Sequence, residues 1–321
     1  MATASRPAAP LASTDPPPVD TASRPPLPRR KRRGRGRSVA PYVFLAPNLI
    51  AIGIFALWPM VNGVRESFTT SVQGQASSFA GLSNYNHLVS SAAFWAAVRN
   101  TFEFVVGYVV ATLIVTTGLA VMLNAQTWAK GLLRAAIYVP VLISPVVVGI
   151  LWNWLLQPDS GVIDGLVAKV GLGQPGWLVS PHLAMFAVIF VELWATGGFY
   201  ALIILGGIQG VDASMFEAAR VDGANEWQMT RRILIPSIRP TLLVVIILST
   251  ITGFQAFEFL YTLTGGGPVG ATTLIVQYIY DHAFVPPLNF GMATAASVLL
   301  FLVLLVLTLV NLIVGRRKGA A

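Results

Sequence analysis

Six apolar runs, 42–61, 101–124, 133–156, 183–208, 241–262 and 288–314, leave this chain little choice of environment. About 20 predominantly apolar residues cross the hydrocarbon layer of a bilayer as a helix. Inside that layer every backbone N–H and C=O must be satisfied by protein, which restricts a span to helices or a closed barrel. Runs this long and unbroken predict helices. Charged residues are 11% of the 321, against roughly 25% in a soluble domain, and mean hydropathy is +0.70. The expected fold is an all-α integral membrane protein with six transmembrane helices.

Positive charge then orients the bundle, because Lys and Arg stay on the cytoplasmic side. Of 21 basic residues, nine precede the first run, Lys130 and Arg134 flank the connection between runs two and three, four lie in the island 212–240, and three end the chain. If the helices alternate, all of these share one side, and only Arg65, Arg99 and Lys169 face the other. Both termini and the island are therefore expected in the cytoplasm, with the first run an uncleaved signal anchor. The net charge of +8 is first a topology signal and does not point to nucleic acid. With no cysteine, disulfides and thiolate metal sites are excluded. Residues 1–38 read as a disordered basic tail: 1–28 are rich in Pro, Ala, Ser and Thr, and RRKRRGRGR at 29–37 suits a topogenic anchor or docking on anionic lipid headgroups. The membrane domain is expected over 39–318.

The polar island VDASMFEAARVDGANEWQMTRRILIPSIRP lies between two of the apolar runs. Asp212 is a good N-cap, Met215, Phe216 and Ala219 follow at helical spacing, and Asp222-Gly223 signals a turn. Asn225 then caps a second helix with Gln228 three residues on, a capping-box arrangement, and Pro236 and Pro240 mark its end. A helix, a glycine turn and a second helix are expected.

On these residues the chain resembles the permease subunits of ABC importers. Glu217-Ala218-Ala219, three residues, Gly223, nine residues, then Ile233 and Ile235-Pro236 is similar to their EAA loop, with Ile235 in place of the usual Leu. FLAPNLI with Phe55, Pro59 and Ser67-Phe68, FAGLSNY at 79–85, and FQAFEFLYTLTGGGP at 254–268 resemble the carbohydrate-importing branch related to maltose and glycerol-phosphate permeases. The resemblance implies a cytoplasmic coupling helix at 213–221 within a coupling loop spanning 209–240. Phe216, Glu217, Ala218, Ala219, Asp222, Gly223, Ala224 and Pro236 would engage an ATPase. It further implies a second homologous permease, two cytoplasmic ABC ATPase subunits that use ATP-Mg, and an extracytoplasmic substrate-binding protein, in a bacterial or archaeal cytoplasmic membrane. ATP binding would draw the coupling helices together and switch access, and hydrolysis would reset it.

No stretch matches GxxxxGK followed by Ser or Thr, so no means of hydrolysing ATP is visible, and the chain is not expected to be an enzyme. His87, His182 and His282 are scattered without ligand spacing, so neither a metal nor a cofactor held by this chain is expected. Acids within a bilayer cost roughly 2.5 to 3.5 kcal/mol and usually face protein or water. Glu103 lies in the first turn of its run and can reach the outer surface, Glu258 lies toward the outer end of the fifth run, and Glu192 is nearest the midplane. Gln255, Glu258 and Thr262 are expected on one helical face, and Glu192 and Thr196 one turn apart with Trp194 nearby. Such residues supply the hydroxyl partners and aromatic face that a sugar requires. For Glu192 the alternative is a hydrogen bond to a neighbouring helix, and for the aromatics simple packing.

The expected function is a permease subunit forming half of the path for a carbohydrate or sugar derivative. The alternatives are an amino-acid or peptide permease of the same machinery and an ion-coupled secondary transporter, which would use its acids as ion sites.

Overall fold

A computed structural model describes residues 40–72, 77–124, 130–158, 160–169, 171, 173 and 175–319; the tail 1–38, with its basic cluster, lies outside them. The chain divides into two units, Met1–Gly53 and Ile54–Ala321. In the first, α1 (Ala40–Ile52) is helical through Pro47 and almost wholly apolar.

The second unit opens in the π-helical turn that ends at Leu57, which runs on in helical conformation into α2 (Trp58–Glu66) and places Pro59 just after the widened turn. A small hairpin follows, β1 (Thr69–Thr70) antiparallel to β2 (Ser78–Phe79) with Thr69 opposite Phe79, and it is an addition to the all-α expectation. Its base is held by buried Asn84 of α3 (Ser83–Ser90), whose Nδ2 donates to the carbonyls of Ser67 and Thr69 at 2.9 Å each. Then come α4 (Ala92–Asn124), α5 (Lys130–Tyr138), α6 (Pro145–Leu155), α7 (Val162–Lys169) and α8 (Pro181–Gln209). The island forms α9 (Ala213–Val221), α10 (Glu226–Met229) and α11 (Ile235–Ser237), and the chain ends with α12 (Arg239–Phe254), α13 (Glu258–Leu263), α14 (Ile275–Phe284) and α15 (Phe290–Gly319).

Among the described residues four helices are long and apolar enough to cross a membrane: Tyr42–Glu66, Ala92–Asn124, Pro181–Gln209 and Phe290–Val310. Two bent pairs raise the number to six if each is one span. The run 133–156 is thus no straight helix, because Lys130–Leu142 and Pro145–Leu155 meet at 99°. A proline drives the residue before it out of the helical region, and Ser144 accordingly adopts φ −57°, ψ 136°. The run 241–262 is also broken. Helix α12 is capped at Gln255, and Phe257, at φ −152°, ψ −60°, separates it from α13.

The core is built where α4 and α8 pack along each other and receive α12, α13 and α6. Tyr108, Phe104, Val188, Val191, Ile204 and Leu260 are fully buried there. Small residues let helices in a membrane approach closely. At Gly198 of α8 an added Cβ would overlap the carbonyl oxygen of Ile137 and lie 3.1 Å from the Tyr138 Cα. A second cluster of Leu88, Phe94, Ala97, Ile275, Tyr278 and Ala295 joins α3, α4, α14 and α15. Other faces of these helices present large apolar side chains outward, Ile114, Met122 and Phe186 among them. Water would not tolerate so much exposed hydrocarbon, whereas lipid or a companion membrane chain would.

Candidate functional site

The island folds as its caps dictate. Asp212 Oδ1 accepts the backbone N–H of Ser214 at 2.9 Å, and this bond, with a second from the Ser214 hydroxyl, holds the exposed carboxyl below its usual range. Helix α9 closes with the N–H of Asp222 on the Ala218 carbonyl at 3.0 Å and that of Ala224 on the Ala219 carbonyl at 2.9 Å. Gly223 between them has φ +78°, the left-handed conformation that glycine adopts without penalty. Helix α10 starts with a complete capping box: Asn225 Oδ1 accepts the Gln228 N–H at 2.8 Å, and Gln228 Oε1 accepts the Asn225 N–H at 2.9 Å. Pro236 and Pro240 bracket the end of the second helix as expected: Glu226–Ser237 stops at Ile238, φ −91° and ψ 8°, and α12 leaves it at 69° with Pro240 in its first turn.

The expected coupling residues divide by exposure. Ala219 is buried, Phe216 is half-buried against the main core, Ala224 and Pro236 are half-buried, and Glu217, Ala218, Asp222 and Gly223 face outward. Behind the loop is a cavity of about 610 Å³ lined by Phe216, Glu217, Arg220, Met229, Asn124 and Gln209. Arg220 meets Glu226 at 3.5 Å, but with both side chains largely in solvent the pair contributes at most about 1 kcal/mol. Sequence reasoning missed the outward apolar side chains of the same loop: Val221 is 88% exposed and Trp227 70%. For Val221 the signal was available, since it lies off the helical stripe that Met215, Phe216 and Ala219 define on α9.

Within the membrane helices, Glu192 is 6% exposed, on α8. Thr196 donates its hydroxyl to the Glu192 carbonyl at 2.7 Å, so the Tyr108 hydroxyl, also 2.7 Å from Thr196 Oγ1, must donate to it. One turn on, the Tyr200 hydroxyl donates to Thr252 Oγ1 at 3.1 Å. These bonds tie α4, α8 and α12 together around Glu192. Trp194 lies apart from them, its ring 5.4 Å from Trp152, beside a groove of about 300 Å³ that it lines with Phe190, Pro140, Gly197 and Gly198.

Gln255, Glu258 and Thr262 do not share one helical face, because the break at Phe257 comes between the first and the others. Gln255 and Glu258 are exposed, whereas Thr262 turns inward and its hydroxyl is committed to carbonyls, with Val146 at 3.2 Å and Phe259 at 3.0 Å. No hydrogen bond joins the Glu192 group to Gln255 or Glu258 among the described residues. Glu103 is exposed, in keeping with its place near the start of its run.

Residues 114–319 match the family of binding-protein-dependent transport system inner membrane components. A probable ABC transporter permease protein of Pyrococcus horikoshii is 34% identical over 276 residues, 84% of this chain and 94% of that one. The trehalose/maltose transport system permease protein MalF of Thermococcus litoralis is 30% identical over 278 residues, 86% of this chain and 94% of that one. Among solved structures, a bacterial ABC transporter involved in the import of the acidic polysaccharide alginate matches with a TM-score of 0.77 at 28% identity, over 88% of this chain and 96% of its own.

Proposed function

The chain belongs to the binding-protein-dependent transport inner membrane components, and from that premise we propose that it forms half of the path through which an ATP-driven importer moves a carbohydrate or sugar derivative. It is a permease subunit of an ABC importer, an inner membrane component whose ATPase is a separate subunit. A second permease, two ATPases and an extracytoplasmic binding protein complete the machine. The sugar reading is supported by the trehalose/maltose and alginate importers that this chain is similar to.

In this reading Lys130–Leu142 with Pro145–Leu155 is one bent span and Arg239–Phe254 another, giving six with the four long helices. Both termini and the loop 209–240 lie in the cytoplasm, 39–318 form the membrane domain, and 1–38 are a basic tail beside the lipid headgroups. The observation that carries the coupling role is the fold of the island, where two capped helices joined through Gly223 present Glu217, Ala218 and Asp222 outward. Val221 and Trp227 add apolar surface to the same contact. The ATPases use ATP-Mg, and as their dimer closes it displaces this rigid pair of helices. Phe216 and Ala219, packed inward, pass the movement to the spans.

Glu192 would meet substrate from α8, with Thr196, its hydroxyl held between the Glu192 carbonyl and Tyr108, positioning it, and Gln255 and Glu258 would meet it from the α12–α13 break. Trp194 stands on another face of α8 and Thr262 is spent on carbonyls, so within this reading both shape the path from behind. Purifying the intact complex in mild detergent, identifying its chains and measuring ATP-dependent sugar uptake in proteoliposomes tests the proposal; uptake that proceeds without any ATPase subunit contradicts it. In the same assay Glu192→Ala is expected to lower uptake about tenfold, the worth of one hydrogen bond to a charged group, with assembly unchanged. Full uptake by that variant removes Glu192 from the path.

A further inference from the structure

Four aromatic rings form a continuous run beside the α12–α13 break. Phe257 lies 5.5 Å from Tyr261 and 4.8 Å from Tyr280, Tyr261 and Tyr280 are 5.2 Å apart, and Tyr280 is 5.1 Å from Phe284. The run links the break to the C-terminal end of α14, so two elements distant in sequence contribute to it. It is not a sealed core, since Tyr261 is 39% and Phe284 65% exposed. Among the described residues the hydroxyls of Tyr261 and Tyr280 take part in no hydrogen bond. The same is true of the exposed side chains of Gln255 and Glu258, which lie on either side of Phe257 in the chain.

We propose that this run is a stacking track for an oligosaccharide, which leads a chain of more than one sugar ring past Gln255 and Glu258 into the permease. The proposal rests on the carbohydrate reading above and adds the length of the substrate. Aromatic rings receive the C–H face of a sugar, and adjacent hydroxyl, amide and carboxylate groups take its hydroxyls. A face turned to lipid would have no use for an unpaired carboxylate, which is costly there. A single ring of sugar occupies one aromatic face. A succession of faces favours a chain that touches several at once, with each contact adding to the hold.

The test uses the complete importer in proteoliposomes, with linear gluco-, arabino- and mannuronate oligosaccharides of one to five rings, and compares wild type with Tyr261→Ala/Phe284→Ala. Both positions are exposed, so the exchange leaves no core cavity. The expected result is a KM about tenfold higher for chains of three or more rings, with the KM for one ring, the kcat and the co-purifying subunits unchanged. Tyr261→Phe is expected to recover most of the loss.

An unchanged KM for long chains, or an equal rise at every length, overturns the track while the carbohydrate reading stands. Loss of the second permease from the variant complex overturns it too, by making the run a subunit contact. If wild type moves none of these sugars, the carbohydrate reading fails, and the track with it.

Discussion

Gly223→Val is expected to abolish ATP-driven uptake and to release the ATPase subunits, while the membrane-embedded helices stay folded. At φ +78° a side chain carries a Cβ penalty of about 1–2 kcal/mol, and more when it is branched. Nothing in this chain lies within 4 Å of a Cβ built there, so no internal clash spreads the damage. The cost falls on the turn itself. Relieving it means leaving the left-handed region, which swings the capping box of Asn225 and Gln228 away from α9. A graded series is informative: Gly223→Ala should keep part of the activity and Gly223→Asn most of it, since Asn tolerates that conformation. Pull-down of the ATPases together with uptake provides the readout. Intact coupling in the valine variant would remove the loop from the proposed drive train.

The second large effect concerns folding. Gly198→Val is expected to prevent accumulation of a stable protein, because the new side chain would be driven into backbone atoms of Ile137 and Tyr138 that no rotamer change can move. Overpacking costs about 1–3 kcal/mol in ordinary cores and more where the obstacle is rigid. The adjacent position is the control. At Gly197 an added Cβ would find only the side chains of Leu193 at 3.6 Å and Thr116 at 3.7 Å, ordinary contact distances, so Gly197→Ala should be tolerated. Thermal unfolding of the detergent-solubilised protein separates the two. Equal melting temperatures would contradict a close backbone crossing of α5 and α8.

Local signals in the sequence proved sufficient where the physics is local. Asp212, Gly223, and the pair Asn225 and Gln228 each act within a few residues of themselves, and each takes the role its type and spacing suggest. The apolar runs announced membrane helices for the same reason. A hydropathy window, however, averages over direction, so it passed straight across Ser144-Pro145, where the chain turns by 99°. The proline was in view, but its consequence depends on what the two arms pack against.

The break at Gln255–Phe257 had no proline to mark it. Ala256, Phe259, Leu260 and Leu263 are buried while Gln255, Glu258 and Tyr261 stay exposed, the division that an unbroken helix would also give, so the burial pattern carried no trace of the break. With Phe257 outside the helical region, Gln255 is separated from the helix that carries Glu258 and Thr262. The bond between Tyr108 and Thr196 spans 88 residues of sequence, and the ring contacts of Phe257 with Tyr280 likewise join separate elements, so no periodicity could have disclosed them.

The sidedness of the loop decides between an ATPase-driven permease and every self-contained alternative. The chain has no cysteine, so Val221→Cys, at a position 88% exposed, introduces a single reporter thiol. A membrane-impermeant maleimide should label it in inside-out vesicles and not in intact spheroplasts, and bound ATPase subunits should slow the reaction. Labelling in intact spheroplasts would place Glu217 and Gly223 on the wrong face of the membrane and end the coupling account.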